Sequence, residues 1–184
     1  YLVVAHIHAH EKDSFIQSAL SISLDEIEEY FSAFITSKQS INYNKEAKKF
    51  DIRESTYFLQ LQLHSKPVQA SPNQDFKELL CDLLKKEGLE ILTWSKKALR
   101  LRDRVNFLHH HREFVDFSDE TLLNTLDTWL KPYLSGVTTI KALEALDVHS
   151  MLLSLLTWEQ QQLLESLAPS SVKVPSGSNI HIDY

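Results

Sequence analysis

STYFLQLQLHS, residues 55–65, gives way across KPVQASPNQ to DFKELLCDLLKKEG, residues 75–88, and the hydrophobic period changes between the two. In the first stretch Tyr57, Leu59, Leu61 and Leu63 alternate with Phe58, Gln60, Gln62 and His64. A period of two sends successive side chains to opposite faces, so this reads as an antiparallel strand with one apolar face. In the second stretch Phe76, Leu79, Leu80, Leu83 and Leu84 recur at helical spacing, and Gly88 stands where a C-terminal cap belongs. Pro67 and Pro72 lie between, in a segment without any period, so residues 67–74 are the predicted linker. Strands before this junction and helices after it make the fold class α+β.

Working back from the junction, residues 1–66 are expected to be strand-rich. In YLVVAHIHAH, Val3, Ala5, Ile7 and Ala9 alternate with Val4, His6, His8 and His10, which predicts a strand with one buried face. FIQSALSI (15–22) predicts a second strand, and Ser23 with Glu26 forms a capping box for a short helix running to about Phe34. Working forward, residues 75–168 are expected to be helical. Ser95 caps a helix with the stripe Ala98, Leu101, Val105 and Leu108. Ser118, with Asp119 and Glu120 in the first turn, opens another that carries Leu122, Leu126, Trp129 and Leu130 and ends near Pro132. Thr139 and Asp147 start shorter pieces, the latter bearing Met151, Leu152 and Leu155. Thr157 with Gln160 makes a second capping box ahead of Leu163, Leu164 and Leu167. VKVPSGSNIHIDY then predicts two strands about a P-S-G-S turn in residues 169–184. Both ends stop within a period-two pattern, so the strands are expected to continue in a longer parent.

Composition narrows the function classes. With 184 residues and 43% hydrophobic content, the chain can build a core. Its 3 glycines, Gly88, Gly136 and Gly177, lie far apart, so neither a P-loop nor a G-x-G-x-x-G turn can form from consecutive residues. The single Cys81 rules out an internal disulfide and suits a reducing, cytoplasmic setting. No apolar run approaches the roughly 20 residues of a membrane span. There is no G-x-S-x-G elbow and no H-E-x-x-H, so no catalytic residues are assigned.

Two histidine groups invite a metal reading. His6, His8 and His10 share one face of a strand, but zinc wants three or four ligands, usually from more than one element; a polar strand face is the plainer account. His109, His110 and His111 close a basic helix, where cations favour the macrodipole. No metal ligand is therefore assigned. Trp94, Trp129 and Trp158 are expected to pack in the core, with base stacking as the alternative.

Charge is the more informative signal. Residues 93–114 carry Lys96, Lys97, Arg100, Arg102, Arg104 and Arg112 against Asp103 and Glu113, a lone cationic helix in a chain of net charge −6. Lys97, Arg100 and Arg104 are spaced three and four apart, which predicts a shared face away from the Leu101, Val105 and Leu108 stripe. Such a face can neutralise the phosphates of single-stranded RNA or DNA, pair with acidic surface, or stand solvated.

The helical half also resembles a known family. TWSKKALRLRDRVNFL (93–108), FSDETLLNTLDTWLKPYLSG (117–136) and LLTWEQQQLLESLAPSSVKVPSGSNIHIDY (155–184) are similar to the region after the motor in HrpB-type ATP-dependent helicases, bacterial members of the DEAH-box group. YLVVAHIHAHEKDSFIQSALSISLDEIEEYF (1–31) is more loosely similar to the OB-type domain that follows the core of DEAH-box enzymes. The resemblance implies a parent that couples ATP hydrolysis, with Mg, to movement on a nucleic acid, RNA being the expected one. It also implies a partial OB-like antiparallel sheet at the N-terminus, a helical bundle and a C-terminal strand pair, with the parent's own helicase domains as partners. No Walker lysine, DEAH tetrad or arginine finger occurs in this sequence, so the motor and its ATP are expected elsewhere. Gln161, Gln162 and His181 stand where the family favours basic residues, which leaves Lys96, Lys97, Arg100 and Arg104 as the candidate nucleic-acid contacts. The expected role is an accessory region that binds or guides a single strand; the alternative is a structural or protein-interaction module.

Overall fold

A computed structural model describes residues 1–9, 14–69 and 75–184 of the chain. His10 and residues 70–74 of the expected linker lie outside the described residues. The chain divides into two compact units, Tyr1–Ser40 with Ile52–Val68, and Ile41–Asp51 with Gln69–Tyr184.

In the first unit, strand β1 (Leu2–Ala9) pairs antiparallel with β2 (Ser14–Ser21), setting Val3 opposite Leu20 and Ile7 opposite Ile16. Helix α1 (Leu24–Tyr30) follows through the expected capping box: Ser23 N–H donates to Glu26 Oε2 at 2.8 Å, and Glu26 N–H donates to Ser23 Oγ at 3.2 Å. A 3-10 turn at Ser32–Phe34 leads into β3 (Ile35–Asn44), β4 (Lys49–Phe58) and β5 (Leu61–Pro67), hydrogen-bonded in that order, with the Ile41–Asp51 end of β3 and β4 belonging to the second unit. Ile27, Ile52 and Leu63 are buried here.

Two expectations are corrected in this unit. Residues 55–65 are not one strand. Phe58 pairs with Leu61, so the chain reverses through Leu59 and Gln60, and Leu59 takes the left-handed φ of 54°. The Leu59 N–H donates to the Phe34 carbonyl at 3.0 Å, and the Phe58 ring meets Phe31 and Phe34 edge-on, so tertiary contacts fix a turn that no glycine or asparagine announces. The β1–β2 strands do form, but without the buried face their alternation predicts. Leu2, Val3, Ile7, Phe15, Ile16 and Leu20 are all exposed: the ribbon has only two strands, and although Leu2 and Val3 border a cavity with Ile27, Phe31 and Phe58, they are not buried by it.

The second unit is helical. Helix α2 (Lys77–Glu87) stops at Gly88, whose φ of 90° is open to a residue lacking Cβ. Helix α3 (Lys96–His111) starts at Ser95, whose Oγ accepts from the Ala98 N–H at 3.1 Å. One helix was expected after Ser118; two form, α4 (Asp119–Asn124) and α5 (Leu126–Trp129). At the break the Thr125 hydroxyl donates back to the Thr121 carbonyl at 2.7 Å, the local competition that bends a helix. Thr139 caps α6 (Ile140–Glu144), Asp147 caps α7 (Val148–Leu153), and Thr157 with Gln160 boxes α8 (Trp158–Leu167). Strands β6 (Ser171–Lys173) and β7 (Asn179–His181) close the chain as an antiparallel pair, with Gly177 at φ 87° in the turn.

The predicted stripes make the core of this unit. Ala98, Leu101, Val105 and Leu108 of α3 are buried, as are Leu122, Leu126, Trp129 and Leu130. Each buried leucine contributes about 1.5–3 kcal/mol relative to exposure, so these helices are held by packing more than by intrinsic propensity. The architecture is α+β, with antiparallel strands at the N-terminus and a strand pair at the C-terminus.

Candidate nucleic-acid interface

Helix α3 presents the cationic residues, and its packed stripe decides which of them reach solvent. Lys96, Lys97 and Arg100 are exposed, and none forms an ion pair with another described residue. Arg104 does not share their face. It is 7% exposed, with Nε donating to the Ala168 carbonyl and Nη2 to the Leu164 carbonyl at 3.4 Å and to Glu165 Oε1 at 2.7 Å. A guanidinium at the C-terminus of α8 satisfies the Ala168 carbonyl, adds a second donor to the Leu164 carbonyl beside the Ala168 N–H, and complements the negative end of the helix dipole. The spacing carries the reason. Arg104 lies three residues after Leu101 and four before Leu108, so it belongs to the buried row as much as to the charged one.

The other α3 cations divide in the same way. Arg102 donates through Nε to the Phe117 carbonyl at 2.8 Å, pairs with Asp119 at 2.8 Å and lies over the Trp94 ring. It therefore braces the start of α4. Arg112 is exposed past the helix end.

Lys97 and Arg100 open onto a cavity of about 450 Å³ bounded by α3, α7, α8 and β7. Leu101, Leu153 and Leu164 supply apolar surface, and His149, Gln162 and His181 supply polar groups. Gln161 also lines the cavity, but its Nε2 donates to the Leu153 and Leu156 carbonyls at 3.2 and 3.1 Å, where it closes the end of α7. His181 Nδ1 lies 3.2 Å from the Ser170 carbonyl. Asp147, two residues before His149, accepts from the Ser150 hydroxyl and N–H, which holds its carboxyl below the ordinary aspartate range. Sequence spacing carries no hint of His149: it sits in the short helix Val148–Leu153, well beyond the end of α3 at His111, and only packing brings it alongside.

The remaining candidates are accounted for locally. His6 Nδ1 lies 3.2 Å from Ser18 Oγ, and His8 Nε2 lies 3.1 Å from Gln17 Oε1. The Nδ1 atoms of His109, His110 and His111 each face a backbone carbonyl at 2.6–2.8 Å, which ties them to the end of α3 and the segment after it. Among the described residues no group of three or more His, Cys, Asp or Glu could hold a metal ion. Trp129 is core, its Nε1 donating to the Leu122 carbonyl at 2.9 Å, and Trp94 is half-buried. Trp158 departs from the expectation: it is 69% exposed at the first turn of α8. Cys81 is buried, and burial pushes its thiol pKa up.

Residues 129–184 match the HrpB family model described as the ATP-dependent helicase C-terminal. Over 176 residues, 94% of this chain, the sequence is 27% identical to the ATP-dependent RNA helicase HrpB of Escherichia coli (strain K12), of which it covers 22%. The crystal structure of the E. coli DExH-box NTPase HrpB superposes with a TM-score of 0.65 at 26% identity, over 100% of this chain and 23% of that one. A second crystal structure, of the Escherichia coli DEAH/RHA helicase HrpB, gives a TM-score of 0.64 at 22% identity over 100% of this chain and 23% of that one, which speaks to the fold alone. This chain thus spans about a fifth of the length of the relatives it matches.

Proposed function

We infer, from the premise that this chain carries the C-terminal region of an HrpB-type ATP-dependent helicase, that it serves as an accessory region that binds or guides a single-stranded nucleic acid. The observation that carries this reading is the exposed trio Lys96, Lys97 and Arg100, unpaired among the described residues on the first two turns of α3. Cations without internal partners can exchange their counterions for strand phosphates, whereas Arg102 and Arg104 are already engaged. RNA is the preferred strand because the curated relative is named an RNA helicase. The OB-type likeness of the N-terminal strands, the cytoplasmic setting and partnership with the parent's own helicase domains belong to the same reading. ATP and Mg belong in it to the motor of a longer protein; the residues here offer no phosphate loop, and no step through ATP is derived.

The test is fluorescence anisotropy of labelled single-stranded RNA and DNA across about 50 to 200 mM salt. Affinity that falls with salt and is lost in Lys97→Glu/Arg100→Glu supports the reading. No binding at the lowest salt, from a chain with native circular dichroism, overturns it.

A second reading, a module that braces other domains or recruits a protein, is favoured by the β1–β2 ribbon. Its exposed cross-strand pairs, Val3 with Leu20 and Ile7 with Ile16, are the kind of apolar surface that marks an interaction site.

A further inference from the structure

The cavity beside α3 has a division of chemistry that a merely solvated charged face would lack. Lys97 and Arg100 stand at one side, Leu153 supplies apolar wall, and two imidazoles, His149 and His181, come from different elements. Gln162 is exposed at its margin with its amide uncommitted among the described residues, unlike Gln161. The volume of about 450 Å³ falls within the roughly 300–1,000 Å³ typical of small-ligand sites, and a bare phosphate would fill only a fraction of it.

The electrostatics of the pocket favour an anion. Glu165, the acidic group lining it, is paired with Arg104 at 2.7 Å, so its charge is neutralised within the wall. Asp103 and Asp183 line an adjacent cleft of about 50 Å³ beside Arg100, and neither reaches ion-pair distance of it. Lys97 and Arg100 thus retain charge to offer a ligand.

We propose that this cavity holds one nucleotide of the bound strand, its phosphate on Lys97 and Arg100 and its base against Leu153 and the imidazoles, with the Gln162 amide at the base edge. The inference rests on the single-strand reading above and deepens it by assigning a subsite. Single strands can splay a base out of the stack, and histidine is among the side chains that bases stack on. A lysine and an arginine at the rim supply the phosphate contact, and the glutamine can accept or donate at a base edge.

The experiment uses this chain, a labelled single-stranded RNA 12-mer, and three variants. Gln162→Trp places a bulky ring at the cavity margin; His149→Ala removes one stacking surface; Lys96→Glu alters the cationic trio at a position that does not line the cavity. Uridine monophosphate and inorganic phosphate serve as competitors at equal concentrations. The proposal expects Gln162→Trp and His149→Ala each to weaken binding by about tenfold, the lower part of the range for losing one stacked base. It also expects the mononucleotide to displace the 12-mer where inorganic phosphate does not.

Binding unchanged in both cavity variants but weakened in Lys96→Glu overturns the subsite and leaves the single-strand reading standing. Equal competition by inorganic phosphate and the mononucleotide also overturns it, since the base would then contribute nothing. No binding of the 12-mer at all overturns the single-strand reading, and the subsite with it. Native circular dichroism of each variant separates these outcomes from unfolding.

Discussion

Arg104 and Glu165 meet at 2.7 Å where α3 crosses the C-terminal end of α8, and the same guanidinium donates to the Ala168 and Leu164 carbonyls. One side chain therefore supplies three acceptors from an all but buried position. Removing it leaves the Ala168 carbonyl without its donor in a site water reaches poorly, which costs more than the hydrogen bond itself is worth, while the Leu164 carbonyl keeps the Ala168 N–H. Arg104→Ala is expected to lower unfolding free energy by about 2–4 kcal/mol, measured by urea denaturation. Arg100→Ala should stay within about 0.5 kcal/mol. Arg104→Lys should fall between, because an ammonium cannot reproduce the guanidinium fork. Equal effects at positions 100 and 104 would refute the clamp.

Asp116 organises the segment that leads into α4. Its carboxylate accepts from the Ser118 N–H at 2.7 Å, the Ser118 hydroxyl at 2.8 Å and the Thr121 hydroxyl. The Thr121 hydroxyl is the largest influence, and together these bonds depress the pKa from 3.8 to about 2. A pKa lower in the folded state means the ionised form is favoured by folding. The contribution is fully present above about pH 4 and is lost as pH falls towards 2. Asp116→Asn is expected to lower Tm at pH 7 and to shrink the difference in Tm between pH 5 and pH 2. An unaltered acid limb in the variant would show that the stability change comes from elsewhere.

Much of this molecule was legible in the sequence, and the parts that were not share a cause. The capping boxes at Ser23 and Thr157, the stop at Gly88 and the stripes of α2 and α3 are local signals, set within a few residues, and all formed. The turn at Leu59, the burial of Arg104, the exposure of the β1–β2 ribbon and the arrival of His149 beside Lys97 depend on what packs against each segment. Period alone cannot report that. Arg104 stands at 3-and-4 spacing to Leu101 and Leu108 and also continues the 3-and-4 series of Lys97 and Arg100, and spacing alone does not say which of the two rows its side chain joins.

The β4–β5 reversal makes a prediction of opposite sign to most substitutions. Leu59 is exposed and holds a φ of 54°, a region that costs a β-carbon-bearing residue about 1–2 kcal/mol. Glycine relieves that strain, at some entropic cost in the unfolded chain. Leu59→Gly is therefore expected to raise stability by about 0.5–1 kcal/mol, read as a higher urea midpoint with an unchanged slope. A drop in stability would mean that the exposed leucine packs on something this conformation leaves open.

The β1–β2 ribbon sets the last expectation. Two strands on their own are marginal in water, and this pair exposes Phe15 and Leu20 at 63% and 73%. An apolar ribbon also presents strand edges that can pair with another chain. The chain alone is expected to self-associate with rising concentration, seen as a growing sedimentation coefficient. Ile7→Lys/Leu20→Lys should suppress that growth while leaving the helical circular dichroism nearly unchanged, since all the helices but α1 lie in the other compact unit. A sedimentation coefficient independent of concentration in the unsubstituted chain would show that the ribbon's apolar side chains are not available to a second copy. The second reading of function would then lose the surface it depends on.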